Sequence, residues 1–266
     1  MVQGIPVLLD EETLQVDSHY GRQRRYFDEE FSRYRRYELE PWRRSYLRRL
    51  RTGGLLDDHR GPMLDVGVGG SGYTVIEAAR SGVDAIGCDL SFEALLRART
   101  FAEDEGVTAR TLWVCCSTES LPFAAGVFTS VVAIAVYEHV PDHEAAWREA
   151  ARVLRPGGRL WVTVPHALPN IAPLFRPPNR RHDRRLGHLR RYESHELIAA
   201  ARSCGLTAAE VQFTGHSIKA LQLALTDKLP MRVRERFWWW CERRDLRSKH
   251  VRRGAMQLSA LFRRDA

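Results

Sequence analysis

The stretch Met63–Thr74, "MLDVGVGGSGYT", decides the fold. A short apolar run, Met63, Leu64 and Val66, is broken only by Asp65 and passes directly into Gly67, Gly69, Gly70 and Gly72, after which a helix pattern begins at Tyr73. A strand, glycine turn and helix in that order bring backbone N–H groups and a helix N-terminus up to an adenosine-bearing cofactor, because glycine permits the tight turn and the close approach. The G-x-G-x-x-G of Gly67–Gly72 does not choose the cofactor. Neither does the acid Asp89, about 20 residues on, where ribose hydroxyls are bonded; dinucleotide folds share both features. Asp65 separates the readings: at the tip of the first strand a carboxylate repels a pyrophosphate and attracts a cationic group.

Outward from this stretch, strand and helix patterns alternate. "YTVIEAARSG" (73–82) reads as a helix, "VDAIGCD" (83–89) as a strand, and "SFEALLRARTFAEDEG" (91–106) as a helix capped by Ser91. Strands "ARTLWVCC" (109–116) and "VFTSVVAIAVY" (127–137) follow, then a helix "PDHEAAWREAARVL" (141–154), a turn "RPGG" and a strand "RLWVTVP" (159–165). Repeated β-α units with continuous apolar strands predict a parallel sheet covered on both faces. After Pro165 comes a proline- and arginine-rich loop (166–192), a helix "SHELIAAARSCG", a strand "LTAAEVQFTG", a basic aromatic segment and a last strand "GAMQLSALFRR". Two closing strands around an insertion fit an antiparallel edge. Before the core, residues 18–51 are arginine-rich, with Tyr26, Phe27, Phe31, Tyr34 and Tyr37 striping one or two amphipathic helices broken near Pro41. The expected organisation is a helical cap (1–54), a core (55–216), a helical insertion (217–253) and the last core strand (254–266).

With 266 residues, 44% of them hydrophobic, the chain suits one domain with appendages. Its net charge of +8 favours phosphates, carboxylates, nucleic acid or anionic lipid without choosing among them. No run is long enough to span a bilayer and the N-terminus has no signal-peptide pattern, so a cytoplasmic location is expected. The five cysteines include no C-x-x-C pair, and neither a metal site nor a disulfide framework is expected.

A carboxylate at position 65 suits S-adenosylmethionine, whose methionyl end is cationic. The segments "LDVGVGGSG" (64–72), "GCDLS" (87–91), "STESLPF" (117–123), "YEHVPDHEAAWREAARVLRPGGRLWVTVP" (137–165) and "GHLRRYESHEL" (187–197) together resemble the class I S-adenosylmethionine-dependent methyltransferases, in the subgroup of small-molecule and quinone methyltransferases. The resemblance implies an α/β, Rossmann-like, doubly wound sheet of seven strands, the last antiparallel. It implies that Asp65, Gly67 and Gly69, with Gly72 completing the turn, hold the methionyl part. Asp89 and Leu90 would hold the ribose and flank the adenine, Ser117 and Thr118 would lie beside the adenine amine, and Ala135 would line the floor near the sulfonium. Two departures stand out: Ser117 replaces the family's usual acid, and Thr129 replaces a common aspartate, both lowering the expected cofactor affinity.

Methyl transfer needs a base only if the acceptor must lose a proton. Candidates are His139, just past the fourth core strand, and His188 with Tyr192 in the loop after the fifth. Arg184, Arg185 and Arg190, in the loop that the resemblance puts over the acceptor, are candidates for clamping a phosphate or carboxylate. In residues 228–253, Trp238, Trp239 and Trp240 cannot all face one core, since successive helical residues are about 100° apart. At least one should lie near a surface, as in a lipid-interfacial helix, a lid or a homodimer contact. The leading expectation is a methyltransferase acting on a small molecule at oxygen, nitrogen or carbon. An RNA methyltransferase and a non-catalytic cofactor-binding regulator are the alternatives.

Overall fold

The computed structural model describes residues 1–10, 15, 17–216 and 231–265; residues 217–230, the start of the expected insertion, lie outside the described residues. The sheet is built from β1 (Val7–Leu8), β2 (Met63–Val66), β3 (Ala85–Asp89), β4 (Thr111–Cys116), β5 (Phe128–Ile134), β6 (Leu154–Pro165), β7 (Leu206–Thr214) and β8 (Gln257–Arg264), in the order β1-β4-β3-β2-β5-β6-β8-β7. β8 runs antiparallel to both neighbours, β6 and β7, and every other pairing is parallel. The helices are α1 (His19–Ser32), α2 (Pro41–Thr52), α3 (Tyr73–Arg80), α4 (Phe92–Asp104), α5 (His143–Val153), α6 (Arg176–Leu186), α7 (Ser194–Ser203) and α8 (Met231–Arg247).

The sheet is buried on both sides, which is why its strands read as unbroken apolar runs. Alternate residues divide between two cores. Leu64, Val66, Val131, Ala133, Leu160 and Val162 face α5 and α7 through Trp147, Ala150, Leu197 and Ala201. Met63, Ala85, Trp113, Val132 and Trp161 face the opposite layer, where Leu47 and Leu50 of α2, Val75 and Ile76 of α3, and Leu95 of α4 pack.

Three expectations change. The sheet has eight strands rather than seven, because Val7–Leu8 adds to the outer edge of β4 opposite Cys115 and Cys116. That edge would otherwise leave backbone groups unpaired, and Cys115 N donates to Pro6 O at 2.8 Å; two residues are too few to show a period. The expected loop 166–192 contains α6. Its prolines fall in the first turn, where the missing N–H has no helical partner to lose, and Gly187 closes it at φ 70°. The expected turn at Arg155–Gly158 lies within β6, where pairing with β5 shifts register between Phe128 and Ser130.

On α8 the three tryptophans diverge. Trp238 is buried, Trp239 lies under the Arg48 guanidinium at 3.9 Å from its ring centre, and Trp240 is 47% exposed. Among the described residues, no helix is long and apolar enough to cross a membrane.

The strand order reverses direction between β2 and β5, and the carboxyl ends of β2, β3, β4 and β5 therefore open onto one crevice. Gly72 makes the turn from β2 into α3 at φ 55°, where a Cβ would lie 2.7 Å from Trp113 and 2.8 Å from Ala98. Gly72→Ala is expected to cost about 3 kcal/mol or more, the left-handed backbone accounting for about 1–2 kcal/mol. Gly106→Ala, at φ 69° with nothing within 4 Å of its Cβ, should cost only the backbone share. Urea denaturation of the two variants checks the difference.

Candidate active site

The crevice encloses a cavity of about 250 Å³ whose wall includes Asp65, Gly67, Gly69, Asp89, Leu90, Ser117, Thr118, Ala135 and His139. These nine sequence-predicted residues come from four strand ends and the turns that follow them. Gly72 is not in the wall and acts one step back, as the first residue of the turn into α3.

Asp65 is buried at the tip of β2 and accepts a hydrogen bond from Thr74 Oγ1. Burial, with the nearby Asp89 charge adding to it, pushes its carboxyl up to about 7. Asp89 ends β3. Its Oδ2 accepts from Gly69 N and its Oδ1 from Ser91 N, both at 2.9 Å, so the two glycine-turn and strand ends are tied together; burial still raises its carboxyl to about 6. Two carboxylates in one buried wall are a poor host for a pyrophosphate.

Ala135 follows β5 in the left-handed region, at φ 57°, while its N–H still donates to Thr163 O at 2.8 Å. This strained backbone for a residue with a side chain turns the chain across the cavity floor. Two residues on from Ser117 stands an acid. Glu119 lines the cavity, accepting from Tyr20 Oη and from Ser117 Oγ at 3.2 Å. Thr129 lies at the far end of β5, where its hydroxyl reaches the carbonyls of Gly61 and Pro62 at 3.2 Å; its departure from the family pattern is a matter of strand pairing and not of the cavity.

The cap of residues 18–51 contributes more to the wall than the sequence indicated. Tyr20, Gln23, Phe27 and Phe31 of α1, then Tyr34, Trp42 and Arg43, all face the cavity. Phe31 lies directly on the glycine turn, where a Cβ on Gly70 would come within 2.8 Å of it. Arg43 is buried among Trp42, Tyr34 and Tyr73, its guanidinium 4.9, 5.4 and 5.9 Å from their ring centres. One nitrogen donates to Glu38 O at 2.6 Å, while its Nε and the Tyr73 hydroxyl are buried without hydrogen-bond partners. The aromatic stripe was visible in the sequence. Which of so many arginines turns inward was not.

The candidate bases separate. His139 lines the cavity, stacks edge-on with Phe27 and His188 at 5.4 and 4.7 Å, and has a buried Nδ1 without a partner. Burial, reinforced by the neighbouring His188, His19 and His182, holds its imidazole down at about 3, so it is neutral near pH 7 and a weak proton acceptor. His188 sits behind it, bonded through Nδ1 to Asp183 at 2.8 Å. Tyr192 is buried outside the cavity, within 3.2 Å of Tyr137 O and His143 Nδ1. The arginines separate too: Arg184 and Arg185 are exposed on the last turn of α6, away from the wall, and Arg190 donates to the carbonyls of Tyr137, Val140 and Pro141.

Residues 64–162 match the family model of a methyltransferase domain. That stretch carries a methyltransferase domain. Its sequence is 31% identical over 128 residues to the ubiquinone biosynthesis O-methyltransferase of Escherichia coli O157:H7 (strain EC4115 / EHEC), covering 48% of this chain and 51% of that protein. It is 29% identical over 181 residues to 24-methylenesterol C-methyltransferase 2 of Oryza sativa subsp. japonica, covering 66% and 45%. The chain spans only about a third to a half of the length of the curated relatives it matches. Among solved structures, phosphoethanolamine N-methyltransferase 2 of Haemonchus contortus, in complex with S-adenosyl-L-methionine, gives a TM-score of 0.63 at 17% identity, over 97% of this chain and 61% of that one. At that identity the likeness is one of fold.

The raised carboxyls have a direct consequence for stability. In the unfolded chain Asp65 and Asp89 titrate near the ordinary 3.8, and in the folded chain at about 7 and about 6. Between about pH 4 and 7 the unfolded state therefore holds fewer protons than the folded one, and stability falls as pH rises. Urea denaturation of the ligand-free protein at pH 5 and pH 8 should show lower stability at pH 8, and Asp65→Asn should flatten the difference.

Proposed function

We propose that this chain is a cytoplasmic methyltransferase that binds S-adenosyl-L-methionine in the cavity at the strand ends and methylates a small, largely apolar molecule at oxygen, nitrogen or carbon. The observation that carries the reading is the pairing of a buried carboxylate, Asp65, with a buried guanidinium, Arg43, in one wall. A methionyl group bears an ammonium and a carboxylate together. Asp65 would hold the ammonium, Arg43 Nε and the Tyr73 hydroxyl would hold the carboxylate, and two buried polar atoms would gain partners. Asp89 accepts from the ribose hydroxyls beside Leu90, and Glu119 with Ser117 and Thr118 accepts from the adenine amine. Gly67 and Gly69 let the backbone approach the methionyl chain, and Gly72 starts the helix behind it.

When bound, the cofactor supplies a methyl group on a sulfonium that becomes neutral as the methyl leaves. The protein's share is orientation and exclusion of water. Phe27, Phe31, Val136 and Val140 close the cavity, and holding an acceptor in line can contribute about 7–11 kcal/mol. His139, neutral and facing the cavity, stands beside the acceptor and helps to orient it; His188 sits directly behind His139 and Tyr192 lies outside the cavity. Arg190 fixes the loop after β5, and contact of Arg184 and Arg185 with the acceptor would require an anionic group reaching beyond the cavity. The names of the ubiquinone and sterol relatives support an oxygen or carbon nucleophile on a lipid-like acceptor. Buried Cys88 and Cys116 stand as neighbouring thiols, which suits a reducing compartment. Exposed Trp240, with Arg236 and Arg244 on the same helix, supports peripheral contact with a lipid surface.

The test is transfer of labelled methyl from the cofactor into small-molecule, lipid and RNA fractions of a cell extract. Label is expected in a small-molecule or lipid fraction. Label in RNA alone, or cofactor binding with no transfer to any fraction, would favour the RNA or the regulatory alternative. Arg43→Gln and Asp65→Asn should each weaken cofactor binding by about tenfold or more, about 1.4 kcal/mol, by calorimetry. Proton uptake and release measured in buffers of different ionisation enthalpy should show Asp65 losing its proton as the cofactor binds near pH 7.

A further inference from the structure

At the back of the cavity the fold gathers three groups that can each offer an electron pair. One ligand atom each of Glu138, His139 and His188 lies within 4.8 Å of the others. Among the described residues, Glu138, 1% exposed, has no hydrogen-bond partner for its Oε2, and the buried Nδ1 of His139 likewise has none. The cations nearby are committed elsewhere. Arg190 bonds the carbonyls of Tyr137, Val140 and Pro141, and Arg191 bonds His166 O, Asn179 and Asp183. His188 is oriented from behind: Nδ1 donates to Asp183 Oδ1 at 2.8 Å, and Arg191 grips both Asp183 oxygens at 2.8 Å. With the proton on Nδ1, Nε2 of His188 carries its lone pair.

Three electron-pair donors within 4.8 Å of one another, one of them braced by a carboxylate, form the kind of cluster to which metal-binding histidines belong. We propose that Glu138, His139 and His188 bind a divalent transition-metal ion of the zinc type. Two imidazole nitrogens and one carboxylate oxygen suit zinc better than magnesium or calcium, which take oxygen donors. Ligands at about 2.0–2.2 Å from a tetrahedral ion stand about 3.3 Å apart, so side-chain shifts of about 1 Å complete the set. Three protein ligands leave a position open. Because His139 lines the cavity, that position belongs to a water or to an oxygen of the molecule bound there. Sequence spacing hides the site, since His188 lies far along the chain from the adjacent pair and arrives through the chain that follows α6.

The test needs no methyl transfer, so its failure leaves the methyltransferase reading untouched. Full-length protein, freed of metal with a chelator, is titrated with Co²⁺ and followed by its visible absorption, and Zn²⁺ is then used to displace it. One equivalent is expected, with the d–d bands of a nitrogen and oxygen site and no thiolate charge-transfer band. Glu138→Gln and His188→Ala should each weaken binding by about 100-fold or more, and Asp183→Asn by about 10–100-fold. Cofactor binding by calorimetry reports whether each variant is folded; should the ligand variants fail to fold, the wild-type spectrum and Asp183→Asn decide. Absence of stoichiometric binding, binding that survives these substitutions, or a thiolate band pointing to the cysteines would overturn the proposal.

Discussion

A carboxylate buried at the end of the central strand is an electrostatic debt that the fold carries in one place. Among the described residues, Asp65 has the hydroxyl of Thr74 as its one hydrogen-bond partner; it is buried near a second buried acid, Asp89, so its ionised form is disfavoured. The surroundings are arranged around that condition. The glycine turn lets the backbone clear the carboxylate, α1 and the aromatic residues beyond it keep water out, and Arg43 waits in the same wall without full hydrogen bonding. An apolar residue at position 65 would pack more cheaply into the sheet and leave the cavity without its sense of charge.

The parallel core was legible because its physics is local and repetitive. Strands covered on both faces must be apolar throughout, and the helices between them carry caps such as Ser91, whose hydroxyl accepts from Ala94 N at 3.0 Å. The strand-end residues Asp65, Asp89, Ser117 and Ala135 were legible for the same reason: strand ends in such sheets face one crevice. What failed to show were features set by distant contacts. Val7–Leu8 becomes a strand only because the β4 edge is open, and α6 forms from a proline-rich segment because its prolines fall where helical N–H groups have no partner.

The site residues that escaped the sequence follow the same division. Arg43 is one of many arginines between residues 18 and 51, and only packing against Trp42, Tyr34 and Tyr73 turns it inward. Glu119 sat two residues from the position inspected for an acid. Tyr192 shares a loop with His188, but its hydroxyl lies within 3.2 Å of Tyr137 O and His143 Nδ1 and does not reach the cavity wall. Charge density was equally misleading: Arg190 and Arg191 work mostly as clasps on carbonyl and carboxylate oxygens, and the basic surface of α6 points elsewhere.

Helix α1 is fastened along one side of the cavity at several points. His19 reaches the carbonyl of His139 at 2.7 Å and Gln23 those of Leu186 and Gly187, while Tyr20 holds Glu119 and Asp28 holds Ser91. A strut bolted at several points moves as one piece, so drawing α1 away from the cavity has to break these bonds together.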